Sequence, residues 1–181
     1  MKKLYFLAAV FCLFSISALA QDKAAAKDFS GIWTLDVTKS KLDERARIES
    51  MTMTVAQIGK DLKVTTDTKR QAPPAGAPGA GDGRGMGRGG DGTTTYTLDG
   101  KETTMQRETG IGPIPVKLTA TMDQGRVHLS SSYNVSRPTG DVTITSKETW
   151  TMSDDGKTLT VERESSSPRG TMASTMVFMK K

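Results

Sequence analysis

The side chains able to do chemistry are few, and they share one repeating phase. Arg107 follows Met105 by two residues, Glu148 lies between Ile144 and Trp150, and Arg163 follows Val161 by two. In an extended chain, residues two apart share a face, so each charge points the same way as the apolar side chains of its own segment. Tyr133, in phase with Val127 and Leu129, adds a phenol to this set, and Trp150 adds a large apolar wall. Charges on such a face are expensive unless paired or hydrated. Three arrangements satisfy that rule. The charges stand near an open end in water, Glu148 and Arg163 form an ion pair between neighbouring strands, or they meet the head group of an anionic ligand such as a fatty acid. Arg107, Tyr133, Glu148, Trp150 and Arg163 are the candidate ligand-binding residues.

Catalytic chemistry finds little to work with. His128, the sole histidine, alternates out of phase with Val127 and Leu129 and so points to solvent. The sole cysteine, Cys12, lies in the first twenty residues, and one histidine without cysteine builds no common zinc site. Glu162 and Glu164 face outward together, Glu102 and Glu108 bracket another segment, and glycosidic cleavage would need two carboxylates across a cleft. Asp154 and Asp155 belong to a turn without the further ligands of a calcium loop. Met172, Met176 and Met179 are soft enough for copper(I). On a strand, however, residues four apart lie about 13 Å apart and Met179 faces the other way. The residues therefore predict no enzyme, no cofactor and no metal. The sequon at Asn134, Val135 and Ser136 matters only in a host that glycosylates exported proteins.

The elements that must position these residues begin behind an export signal. Residues 1–20 carry Lys2 and Lys3, an apolar run, and a small-x-small site at Ala18, Leu19 and Ala20, which predicts cleavage after Ala20 and a periplasmic or secreted protein. Cys12 is preceded by Phe11 rather than by the small residue that lipidation requires, and it leaves with the signal. Removing Lys2 and Lys3 from 25 basic residues leaves 23 against 20 acidic, a net charge of +3 in place of +5. That is weak attraction for a polyanion. The apolar fraction falls to roughly 29%, low for a globular domain, so a large dry core is not expected. With no cysteine left to staple a small core, closing a sheet into a barrel is the remaining way to protect its strand edges.

Residues 21–28 read as a flexible leader. From residue 29 the chain alternates: Trp33, Leu35 and Val37 against Thr34 and Asp36. Residues 39–49 carry Leu42, Ala46 and Glu49 at helical spacing, which predicts one short helix. Hairpins are predicted for 51–58 with 62–69, 94–98 with 102–108 across Asp99 and Gly100, 114–122 with 126–135, and 141–152 with 158–165, followed by a last strand at 171–179. The expected fold is all-β, a single up-and-down antiparallel β-barrel of about ten strands spanning 29–181. Residues 72–92, a Gly/Pro-rich tract, interrupt it as a disordered loop. Gly85, Gly87 and Gly90 satisfy GxGxxG there without the strand and helix a dinucleotide site needs. Arg84 and Arg88 resemble nucleic-acid-binding RGG repeats, but Asp82 and Asp91 cancel them and no aromatic is interleaved. No nucleic-acid partner and no membrane span are expected, and a monomer is.

Gly31 and Trp33 form a GxW motif on the opening strand, within the segment FSGIWTLDVTKSK, and DGKTLTVERE lies near the end of the chain. On these residues the chain resembles the lipocalin-like calycins, and among them a group of small secreted bacterial lipocalin-like proteins. The resemblance implies a barrel of lipocalin or fatty-acid-binding type, with Trp33 packed structurally across one end. A basic residue of the last strand would cover it, Lys180 or, one strand earlier, Arg163. The chain departs from the eight-stranded forms in lacking their long C-terminal helix and disulfide. The implied partner is a small hydrophobic ligand. The apolar phase, rich in methionine at Met51, Met53, Met122, Met152, Met172 and Met176, suits either an adaptable cavity or a packed core. The competing function is a non-catalytic envelope or interaction protein with a filled barrel and no small-molecule ligand.

Overall fold

Alternation between apolar and hydroxylated side chains favours extended backbone, because β-branched threonine and valine fit a pleated, half-buried surface. The computed structural model describes residues 27–43, 46–72, 91–109, 112–137, 140–168 and 170–181. It contains β1 (Gly31–Leu35), β2 (Ile48–Ile58), β3 (Asp61–Arg70), β4 (Gly92–Thr97), β5 (Thr103–Arg107), β6 (Ile114–Asp123), β7 (Arg126–Arg137), β8 (Gly140–Met152), β9 (Thr158–Ser167) and β10 (Gly170–Lys180). They form one antiparallel sheet in the order β4-β3-β2-β1-β10-β9-β8-β7-β6-β5. Consecutive strands meander, and the pairing of β1 with β10, Trp33 opposite Lys180 and Leu35 opposite Phe178, rolls the sheet into a nearly closed barrel. The all-β, ten-stranded expectation holds. The signal at 1–20, residues 21–26 of the leader and residues 73–90 of the expected loop lie outside the described residues. Gly92, the predicted end of that loop, already belongs to β4.

Two local expectations are corrected. The predicted hairpin across Asp99 and Gly100 does not form, since β4 pairs with β3 and β5 with β6, with no ladder between β4 and β5. Leu98 N still donates to Lys60 O, while Asp99 already bridges Thr121 and Gly100 N donates to Ala120 O. The tight turn thus carries the chain from one wall to the next, and its two arms diverge. The turn is pinned to β6, and along the seam beyond it no backbone ladder joins β4 to β5 among the described residues. The short helix predicted over 39–49 is also absent among the described residues of that stretch, because the backbone there is committed to β10. Lys41 exchanges both backbone hydrogen bonds with Thr175, and Ser40 Oγ accepts from Val177 N at 2.9 Å, continuing the ladder by a side chain. Among the described residues that follow, Ala46 N donates to Asp43 O.

The core occupies the end of the barrel that holds Phe29, the C-terminal end of β10 and the short turns. Phe29 and Trp33 are fully buried, with Trp150, Leu159 and Phe178 beside them in the cluster. Three polar contacts fix this plug: Trp33 Nε1 donates to Phe29 O at 3.0 Å, Phe29 N donates to Gln57 Oε1 at 3.1 Å, and Gln57 N donates to Ser30 Oγ at 2.9 Å. Lys27 Nζ donates to Met152 O at 2.9 Å and so ties the residues ahead of β1 to the far wall. At the β6–β7 connection, Gln124 and Gly125 both have positive φ, as a type I′ hairpin turn requires.

Gly31 admits the basic cover that the GxW resemblance implies, and that cover is Lys180. Its Nζ lies 5.2 Å from the centre of the Trp33 ring. A Cβ on Gly31 would stand 2.7 Å from Lys180 Cε, and the glycine holds φ at +145°. Gly31→Ala is therefore expected to cost about 1–3 kcal/mol through backbone strain and displacement of the lysine. The check is a thermal melt of the two proteins side by side, in which an unchanged Tm would contradict the tight approach.

Candidate functional site

Pairing registers settle which side chains share the interior. Leu129, Glu148, Arg163 and Ser174 lie opposite one another across β7, β8, β9 and β10, and Ser131, Ser146 and Ser165 form the next inner row. The interior therefore changes character along its axis. Toward the short turns it is filled by the aromatic and aliphatic cluster, and beyond Glu148 the same strands present a row of serines and then Tyr133, Ile144, Val135 and Val142.

Glu148 stands at the boundary. Opposite Arg163 in the β8–β9 ladder, its Oε1 accepts from Arg163 Nε and lies 2.8 Å from Nη2, while its Oε2 accepts from Trp150 Nε1 at 2.8 Å. Both oxygens are occupied, and the Glu148 side chain is only 15% exposed. Enclosing this charge is tolerable because it is paired and hydrogen-bonded at the same time. The ion pair between neighbouring strands is thus formed. Arg163, engaged by Glu148, does not cover Trp33. Trp150 is 1% exposed and packs its ring 6.3 Å from that of Phe29, so it supports the site from within the core.

Arg107 and Tyr133 come together on the other side, the guanidinium carbon 5.6 Å from the centre of the phenol ring. Arg107 lies on β5 at the seam, half-buried, with no carboxylate partner among the described residues. Tyr96, which the sequence reading missed, joins the group. Paired opposite the fully buried Leu62, it faces inward, and burial pushes its phenol up to about 12. The Glu148 charge adds to that rise, while Arg107 and Arg163 oppose it, so all four groups share one electrostatic neighbourhood. Its in-phase relation to Leu98 was the available signal. The wrong hairpin obscured it.

Outside the barrel there are two shallow depressions, with volumes of about 240 and 120 Å³. Thr119, Thr121, Ser130 and Thr149 line the first with His128, whose Nδ1 lies 3.3 Å from Thr149 Oγ1. His128 is exposed, and Met172, although in the inner phase, is 43% exposed at the rim.

No family model matches the chain, and no curated protein matches it. Among solved structures it is similar to zebrafish ileal bile acid-binding protein complexed with cholic acid, at 17% identity and a TM-score of 0.47, over 84% of this chain and 98% of that one. At that level the likeness bears on neither ligand nor mechanism.

Two outcomes follow from the interior network. Glu148→Ala leaves a half-buried guanidinium and the Trp150 N–H without their acceptor, and is expected to cost about 2–3 kcal/mol, below the loss for a fully buried pair because Arg163 keeps some contact with water. Combining Glu148→Leu with Arg163→Met, which removes both charges and keeps the apolar volume, should recover most of that loss in urea titrations, and an equally low midpoint would contradict the pairing. Tyr96 titrates from 10.0 in the unfolded chain and about 12 in the folded one. Its contribution to stability is accordingly complete below pH 10 and lost as pH rises through 12. Ultraviolet titration should show a phenolate step near pH 12 that Tyr96→Phe removes; a step near pH 10 in the folded protein would contradict the burial.

Proposed function

We propose that this is an exported barrel that binds a small, largely apolar molecule with an anionic head in the polar half of its interior. The observation that carries this reading is the inward-phase Arg107, stacked on Tyr133 and lacking a carboxylate among the described residues, beside an Arg163 whose charge Glu148 already neutralises. An interior cation without an anion is costly to enclose, and an incoming carboxylate or sulfonate would cancel the cost. The apolar body of such a ligand would lie against the half-buried Met105 and Ile114, which the β5–β6 ladder sets on the same inner phase as Arg107. The seam between β4 and β5 offers an approach beside Arg107. Export rests on the basic, apolar and small-x-small pattern of residues 1–20.

A second reading has its own support. Both depressions lie on the outer face, and the cluster around Trp33 and Trp150 fills one end of the barrel. A barrel filled throughout would act through its threonine-rich surface on another protein. Isothermal titration with dodecanoate and with 1-dodecanol separates the two. The ligand reading expects dodecanoate to bind about tenfold more tightly than the alcohol, with Arg107→Gln erasing that preference, as loss of one charge-assisted hydrogen bond would. Binding of neither compound would favour the filled barrel.

A further inference from the structure

We infer that the ligand carries hydrogen-bonding oxygens along its body as well as an anionic head, an inference that rests on the binding reading above. Ser131, Ser146, Ser165 and Ser174 all occupy inner-phase positions on four neighbouring strands, at half-buried sites in the half of the barrel away from the core. Packing alone would favour alanine or valine there, as it does at Ala120 and Val127 in the filled half. The serines do little for one another: the one contact among them is Ser165 Oγ to Ser146 Oγ at 3.4 Å, and Ser131 and Ser174 have no side-chain partner among the described residues.

Two observations from other strands point the same way. Thr68, opposite Met51 on the inner face of β3, has an Oγ1 that is enclosed and without any hydrogen-bond partner among the described residues. Tyr96, half-buried and inward-facing opposite Leu62, presents a phenol that also lacks a hydrogen-bond partner among the described residues. These hydroxyls come from inner-phase positions on β3, β4 and β7–β10. A bare hydrocarbon chain would strip water from the half-buried serines and leave Thr68 as unpaired as it already is. Hydroxyl or ether oxygens on the ligand body would replace that water bond for bond. The selected class is therefore an oxygenated amphipathic anion rather than a plain fatty acid.

The matched probes are octadecanoate and 9,10-dihydroxyoctadecanoate, which share length and head group and differ in two hydroxyls. Titrated into the full chain purified from its own host, the diol is expected to bind at least about tenfold more tightly, since a site built to hydrogen-bond a hydroxyl discriminates against its absence. Ser146→Ala with Ser165→Ala should bring the ratio close to one, and Tyr96→Phe, which keeps the ring and its packing, should reduce it independently. Equal or tighter binding of octadecanoate, or a ratio indifferent to both variants, overturns the inference while leaving the binding reading intact. Binding of neither probe removes both.

Discussion

The Glu148 carboxylate is the interaction on which the interior is organised. One side chain holds Arg163 with one oxygen and the Trp150 indole with the other, joining an ion pair to the aromatic core through a single group. Below it the barrel is packed around Trp33, Phe29 and Phe178. Above it the same strands carry a row of serines before Tyr133, Ile144, Val135 and Val142. Had the carboxylate been absent, two arginines would point inward without compensation, and hydrated disorder or a collapsed mouth would relieve them. With it present, one arginine is neutralised, and Arg107 stands without a carboxylate partner among the described residues.

The backbone imposes the second constraint. Rolling a meander into a cylinder requires the first and last strands to meet, and β1 pairs with β10 with Trp33 opposite Lys180. That closure brings the lysine over the indole and demands a glycine at position 31. The closure is incomplete between β4 and β5. There the Asp99–Gly100 turn reaches across to β6, and no ladder joins β4 to β5 among the described residues. Free edges invite pairing with other chains, and their shortness here, six residues in β4 and five in β5, limits that hazard.

Alternation alone placed Arg107, Tyr133, Glu148 and Arg163 on the inner phase, since side-chain period is a local property of an extended chain. Which strand each segment meets is not local. The Asp99–Gly100 turn has the residues of a two-residue hairpin, and only the competing ladders to β3 and β6 show that its arms part. Tyr96 was hidden for that reason, because its inward direction follows from lying opposite Leu62 rather than from any partner in β5. Ser131 was readable in phase with Leu129 and Tyr133, Ser146 with Glu148, Ser165 with Arg163 and Ser174 with Met176, yet serine is so common on solvated faces that its type carried no signal. Leu42 and Ala46 have helical spacing, but Ser40 and Lys41 are already held by β10, and tertiary hydrogen bonding overrides so short a pattern.

The division of labour between the two arginines is the central claim, and side-chain NMR of the Arg Nε–Hε groups during addition of dodecanoate tests it most directly. The resonance assigned to Arg107 should move with saturation, while that of Arg163, shielded by its carboxylate, stays in place. Movement of Arg163 alone, or of neither resonance while dodecanoate binds, would contradict the account.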